Sequence, residues 1–198
     1  MIITRGIMNN VLPLVTRGLG NDALVFQLLR FIAEEQYSVG TANITLTVRV
    51  GAREVTLRGT GKGALDALCQ AFQSAYSSEH PSLRGIQFKS FQAVNVPSTG
   101  ARGGSGADAQ ASVTVVFSTS QGEAISFQTT AASVNAASCA AVIEAFQFFI
   151  NAERAYRKIS DAIKDARRRD RADLIQGYQG QLATLVQWIN YEGVVSGR

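Results

Sequence analysis

The sequence is poor in the residues that build catalytic and metal centres. Its 198 residues include one histidine, His80, and two cysteines, Cys69 and Cys139. The cysteines form no metal-binding pattern and lie in alanine-rich helical stretches, so we expect buried, reduced thiols. His80 lies beside Pro81 in a predicted loop, where we expect a solvated side chain, and no acid pair has a spacing that favours acid–base catalysis. The sequence therefore predicts no metal, no cofactor and no enzymatic activity.

Long apolar runs and targeting signals are also missing. No apolar run approaches the length of a membrane span, so we expect no membrane partner. The first twenty residues carry Arg5 and Arg17 without any acid, but they lack the layout of a secretory signal. We therefore expect residues 1–20 to be a flexible N-terminus and the protein to be cytoplasmic.

Charge of either sign is sparse, at 17% of the residues and a net charge of +4. Much of the positive charge lies in the segment RKISDAIKDARRRDR, residues 157–171, where three aspartates alternate with the basic residues. Nucleic-acid binding through Arg167, Arg168 and Arg169 would depend on charge alone, because no aromatic side chain is interleaved for base stacking. We favour a solvated helix face and do not expect a nucleic-acid partner.

Alternating apolar and polar residues predict two antiparallel hairpins. The first joins NITLTVRV (43–50) to REVTLRG (53–59), and the second joins ASVTVVFS (111–118) to EAISFQTT (123–130). A further strand, GIQFKSFQAVNV (85–96), precedes the second hairpin. Each hairpin is followed by a stretch with helical spacing of its apolar residues.

The absence of helix breakers sets the length of the helices. No proline follows Pro97 and no glycine lies between Gly122 and Gly177, so the second helix can begin near Ser133 and run past Tyr156. The segment NDALVFQLLRFIAEE (21–35) has apolar residues at helical spacing, and so does GQLATLVQWINYE (180–192). These flanking helices serve either oligomer contacts or core packing.

The two hairpin-helix halves are copies of one another. A shift of 69 places the first strand on its counterpart, and a shift of 70 aligns the second strand and the helix. The sequence thus predicts an α+β fold of two repeated strand-hairpin-helix units of the βββα type. Antiparallel sheets pack on helices, and helical extensions lie at both ends. We place the domain at residues 21–158, its repeats at about 36–80 and 85–156, and a helical C-terminal extension at 159–198.

A glycine-rich turn, LRGTGKGALDALCQAF (57–72), connects the first hairpin to its helix. The phosphate loop of NTPases fails here, because Thr56 replaces its first glycine and Gly63 replaces its hydroxyl residue. The dinucleotide fingerprint fits Gly59, Gly61 and Ala64, but it needs a parallel strand where this pattern indicates an antiparallel one. Two interpretations stay open: a helix start that binds a ligand carboxylate, or a corner that needs glycine for its dihedral angles.

Several motifs resemble the C-terminal regulatory domain of the α-isopropylmalate synthase family, which includes the citramalate synthases. The most specific are G-x-G-x-G-x-x-D-A at Gly59–Ala67 and G-x-D-A-x-A at Gly106–Ala111, with an Ala-Ser pair at 137–138. The resemblance covers about Tyr37 to Asn151. It implies two βββα units, a homodimer, and feedback inhibition of a synthase by leucine or isoleucine. The catalytic barrel of those synthases is absent from this sequence.

The resemblance also implies a site for the effector amino acid. The corresponding residues here are Gly61, Lys62, Gly63, Ala64, Leu65, Asp108, Ala109 and Ala111. Backbone amides of the turn would hold the carboxylate, alanines would leave room for a branched side chain, and Asp108 would meet the ammonium group. The family usually has Asn-Gly-Pro where this sequence has Lys62-Gly63-Ala64, and an aspartate where it has Ser133. The alternative is a structural or assembly protein that kept the fold without the ligand.

Overall fold

The computed structural model describes residues 8–96, 110–120 and 122–186. In chain order, its helices and strands are α1 (Met8–Leu19), β1 (Phe26–Gln36), β2 (Thr41–Val50), β3 (Arg53–Gly61), α2 (Ala64–Tyr76), β4 (Gln87–Val96), β5 (Gln110–Ser118), β6 (Ala124–Ala131), α3 (Val134–Arg168) and α4 (Ala172–Val186). Short 3-10 helices lie at Gly20–Asp22 and Pro81–Gly85. The predicted α+β class, with helical extensions at both ends, is confirmed.

The strands form two antiparallel sheets with the same topology, in the orders β1-β2-β3 and β4-β5-β6. Leu46 in the middle of the first sheet lies between Phe31 and Leu57, and Val115 holds the same place in the second sheet. α2 packs on β2 and β3, whereas α3 packs on β5 and β6. The internal duplication that the sequence predicts is therefore present in the register of the sheets.

The predicted helix over Asn21–Glu35 is wrong, because most of this segment forms β1. An irregularity between Leu28 and Arg30 shifts the strand's alternation by one residue, as a β-bulge does. Residues that face the helices therefore fall at 26, 28 and 31 instead of at a strict period of two. Such spacing resembles the i, i+3 pattern of a helix, and the sequence alone did not separate the two.

Side chains of α3 fix the start of β1. The amide of Asn151 accepts a hydrogen bond from Leu24 N at 2.8 Å and donates one to Leu24 O at 2.7 Å. Gln147 Oε1 accepts from Phe26 N at 2.9 Å. Because these bonds satisfy the backbone of an extended segment, they favour the strand over a competing helix.

Helix α1 lies in the segment where the sequence led us to expect a flexible N-terminus. Its buried side chains, Val11, Val15 and Leu19, recur every four residues and pack on α3. Pro13 inside the helix and Gly18 near its end are helix-breaking residues that obscure this periodicity in the sequence. The N-terminal helical extension is therefore present, but it lies upstream of the predicted segment.

Aromatic side chains join the two units at their helices. The rings of Phe72 in α2 and Phe146 in α3 are stacked with centroids 5.0 Å apart, and both are fully buried. Phe117 of β5 meets Phe146 edge-on at 5.9 Å. Each unit alone would expose these rings, so the duplicated units bury their apolar helix faces against one another.

Helix α3 is long and apolar enough, by length and composition alone, to cross a membrane. The sequence led us to expect no apolar run of that length. However, 61% of its most apolar window is buried inside the protein, where it packs against α1, α2, α4 and the second sheet. A core helix of this kind passes the same test, so the finding is weak support for a membrane span.

Residues 80–83, in the segment between the two units, are buried, which contradicts the solvated histidine that the sequence predicts. His80 is 3% exposed, and Ser82 in the 3-10 helix after it is 1% exposed. Ser82 N donates to Glu153 Oε2 of α3 at 2.9 Å, and His80 Nδ1 lies 3.8 Å from Glu153 Oε1. The fully buried carboxylate of Glu153 therefore holds the linker on α3, at a distance of 71 residues along the chain.

Candidate functional site

The glycine-rich turn lies where β3 ends and α2 crosses back over the sheet. A methyl group built on Gly59 would overlap Ala67 O and lie 2.5 Å from Ala71 N, both backbone atoms of α2. One built on Gly61 would lie 2.5 Å from Ala67 N and 2.6 Å from Asp66 Oδ2. Close approach of the helix to the strand therefore explains these two glycines without any ligand.

Gly63 differs from the other two glycines of the turn. It precedes α2 in an extended conformation with φ of −161°, which any residue adopts, and a methyl group built on it meets no atom within 4 Å. Neither packing nor backbone strain in the described structure requires a glycine there. The position leaves open space directly in front of the helix.

The start of α2 has backbone amides without an intrahelical acceptor. The first intrahelical bond runs from Ala67 N to Gly63 O at 2.9 Å, so the N–H groups of Ala64, Leu65 and Asp66 precede the hydrogen-bonded ladder. Gly63 has no side chain to cap them. These amides and the helix dipole make a partly exposed, positively polarised surface that suits an anion.

Two nearby charged residues modify this surface. The side chain of Lys62 is exposed, and its backbone N–H donates to Asp66 Oδ2 at 2.9 Å. Asp66 lies in the first turn of the helix, where a carboxylate is favoured by the dipole. The carboxylate of Asp66 therefore satisfies the amide of Lys62, and the amides of Ala64 and Leu65 remain in front of the helix.

The equivalent helix start in the second unit is capped by its own side chain. Ser133 precedes α3, and its Oγ accepts a hydrogen bond from Ala136 N at 3.1 Å. Serine is a preferred N-cap residue because its oxygen satisfies one of the orphan amides. The two units of the repeat thus differ in the one feature that would admit an external carboxylate.

We expect Ser133→Ala to lower the free energy of unfolding by about 1 kcal/mol, because the Ala136 amide loses its acceptor. Chemical denaturation of the two proteins measures this difference. Ser133→Asp is the control, since aspartate also caps a helix, and its stability should stay close to that of the parent protein. Equal stability of Ser133→Ala and the parent would contradict a capping role.

The remaining predicted site residues fall into two groups. Asp108 and Ala109 lie outside the described residues. Ala111 is buried in β5, between Asn95 and Ala131. Within the described residues, α2 packs mainly on β3 and β2 of its own unit, whereas Ala111 lies in the sheet on which α3 packs.

Sequence reasoning overlooked Ala42, which occupies the position of Ala111 in the first unit. It is fully buried and lies opposite Gly61 across the β2–β3 ladder. The repeat provides the signal, since a shift of 69 places Ala42 on Ala111. The small residue beside the glycine turn therefore comes from the same unit.

An apolar surface on β4 was also not singled out from the sequence. Phe88 lies opposite Phe117 and Phe91 lies opposite Val115, so both point to the face of the sheet on which α3 packs. The helix covers β5 and β6, and the two phenylalanines remain 37% and 40% exposed. This strand presents aromatic side chains beyond the edge of the helix.

The described ranges contain no group of three or more histidine, cysteine, aspartate or glutamate side chains that could hold a metal ion. Cys69 and Cys139 are free and buried, as predicted. Burial raises the pKa of each thiol to about 12, with a further contribution from Asp66 at Cys69. Both are therefore protonated at neutral pH and unreactive as nucleophiles.

Two βββα units that are joined through their helices, with one open and one capped helix start, define a duplicated α+β domain. Residues 14–150 match the LeuA allosteric (dimerisation) domain. Because this match covers more than half of the 198 residues, the chain belongs to that family. No curated protein matches the chain. The resemblance to the synthase regulatory domain is confirmed.

The match ends inside α3, which continues to Arg168. The second half of this helix and all of α4 therefore lie beyond the family domain. The predicted helix over 180–192 corresponds in part to α4, which begins earlier, at Ala172, and the residues after 186 lie outside the described part. Near the end of α3, Asp165 pairs with Arg168 and Arg169 on a solvated helix face, as predicted.

Proposed function

We propose that this chain is a non-catalytic regulatory module that binds leucine or isoleucine and reports it to a biosynthetic synthase in the cytoplasm. The observation that carries the proposal is Gly63, a glycine with open space around it in front of an uncapped helix. Membership of an allosteric domain family supports the regulatory role. The capped start of α3 makes the first unit the better candidate for ligand binding.

The chemistry of the turn suits the carboxylate of an amino acid. The N–H groups of Ala64 and Leu65 would donate to it, and the exposed ammonium of Lys62 would add positive charge at the rim. The small, partly exposed side chain of Ala64 would leave room for a branched side chain. The proposal retains Asp108, Ala109 and Ala111 as the second half of the site, with Asp108 as the partner of the ligand ammonium.

The proposed module acts as a homodimer. A dimerisation domain needs a self-complementary surface, and the exposed Phe88 and Phe91 on β4 provide aromatic side chains of the kind that enrich such interfaces. Pairing of two copies over this face would bury rings that α3 leaves uncovered. The synthase partner would supply the catalytic centre.

Leucine or isoleucine should raise the melting temperature by about 5–10 °C at a hundredfold excess over its Kd, because a ligand that binds only the folded state stabilises it. A thermal-shift panel of leucine, isoleucine, valine and lysine measures the effect and its selectivity. We expect lysine to give no shift, since the proposed pocket is lined by small apolar residues.

Gly63→Asp should abolish this response and leave the protein folded. An aspartate there fits the extended backbone, caps α2 with its own carboxylate and occupies the amides that the ligand would use. Gly63→Ala is the matched control, because its methyl group meets no neighbour and brings no acceptor. A full response in Gly63→Asp would refute the site.

The alternative function is a structural or assembly protein that lost the ligand. It is favoured by Lys62 in the turn and by Asp66, which already accepts the hydrogen bond of Lys62 N. A stable dimer in analytical ultracentrifugation, together with no thermal shift from any of the four amino acids, would support this function over the sensor.

A further inference from the structure

We propose a second ligand site, for a medium-chain monocarboxylate, in the cleft between α1, α3 and α4. The cleft has a volume of about 390 Å³. Pockets for small organic molecules usually measure about 300–1,000 Å³, so the space is sufficient for such a ligand. It is separate from the glycine turn, which lies at the start of α2 and does not line it.

The walls of the cleft are mainly apolar. Leu14 comes from α1, Ile159 and Ala162 come from α3, and Tyr178 comes from α4. An alkyl chain placed among them would leave water and bury its apolar surface, which favours binding. The small side chain of Ala162 leaves room between the larger neighbours.

The charges at the cleft are of one sign. Arg17 and Lys158 line it, and none of the described lining residues is acidic. Lys158 Nζ pairs with Asp22 Oδ2 at 2.9 Å, outside the lining, so its charge is already compensated. Arg17 has no ion-pair partner among the described residues, and a guanidinium binds a carboxylate through two parallel hydrogen bonds. An apolar wall beside an uncompensated cation favours an anion with an apolar body.

The cleft lies between the family domain, which contains Leu14 and Arg17 of α1, and the helical addition beyond it. Its α3 and α4 residues all follow residue 150, where the match to the allosteric domain ends. A ligand here would bridge the addition to α1 and would bind independently of the proposed amino-acid site. The test of this inference is therefore independent of the test of the proposed function.

Octanoate is the probe, and 1-octanol is its neutral counterpart. Isothermal titration calorimetry with the full chain should show saturable octanoate binding at least tenfold tighter than that of 1-octanol. Arg17→Gln should weaken octanoate binding at least tenfold and leave 1-octanol unchanged, because only the carboxylate contact is lost. Ala162→Trp should abolish binding of both by filling the cleft.

Arg167→Gln is the matched control, since this exposed arginine of α3 does not line the cleft, and it should bind octanoate as the parent does. Gly63→Asp should also bind octanoate normally. The proposal is overturned if octanoate fails to bind or if Arg17→Gln binds it equally well. It is also overturned if Ala162→Trp changes the oligomeric state, which would mean that a second copy covers the cleft.

Discussion

Gly59→Ala is expected to lower the free energy of unfolding by more than about 3 kcal/mol, at or above the upper end of the usual cost of overpacking. The added methyl group would overlap the carbonyl oxygen of Ala67 and crowd the amide of Ala71. Both are backbone atoms in the middle of α2, so no rotation of a side chain relieves the overlap. The helix would have to lift away from β3, which would open the core around Phe72.

The three glycines of the turn form a graded series for this experiment. Gly61→Ala should cost less than Gly59→Ala, because one of its two close neighbours is the movable carboxylate of Asp66. Gly63→Ala should stay within about 1 kcal/mol of the parent protein, since its methyl group enters open space. Urea denaturation of the three variants gives the order directly. Equal stabilities would mean that helix α2 does not pack on β3 as closely as the structure shows.

Glu153→Ala is the second change with a large expected effect, about 3–5 kcal/mol of stability. The carboxylate is fully buried in α3, where it accepts from Ser82 N at 2.9 Å and pairs with Arg157. Alanine would leave the Ser82 amide without its acceptor and Arg157 without its partner. The linker between the two units would therefore lose the hydrogen bond that fixes it to α3.

Two controls separate this effect from a general loss of helix stability. Glu153→Gln keeps the shape and an acceptor for Ser82 N, so it should cost clearly less than the alanine variant. Glu144→Ala changes an exposed glutamate of the same helix and should cost little. If denaturation gave equal losses for Glu153→Ala and Glu144→Ala, the buried carboxylate would have no anchoring role.

The same carboxylate makes stability depend on pH. Burial raises the pKa of Glu153, but the nearby His80 imidazole, the hydrogen bond from Ser82 and the charge of Arg157 together bring it below its ordinary value of 4.5. A lowered pKa contributes stability above pH 4.5, and this contribution is lost as the pH falls through the folded-state value. The stability difference between the parent and Glu153→Gln should therefore shrink on acidification below about pH 4.5.

Local patterning was sufficient for the elements that have a regular period. The alternation around Leu46 and Val115 predicted both hairpins, and the run without glycine after Gly122 predicted the long α3. It was not sufficient for β1, where the irregularity after Leu28 changes the period. The candidate site was predicted only as a sequence motif. The sequence does not show that α2 packs too closely on Gly59 for a side chain, or that the space around Gly63 is open.

The sequence by itself determined the duplicated α+β architecture and the family, because strand alternation, helical spacing and short motifs are properties of neighbouring residues. Only the tertiary structure decided which residues are buried between these elements and which remain exposed to solvent. Asn151 holds Leu24 across 127 residues, and Glu153 holds Ser82 across 71. Such contacts depend on how the chain returns to itself, which no local period encodes. For that reason His80 is buried, residues 26–36 form a strand, and one of two equivalent helix starts is open.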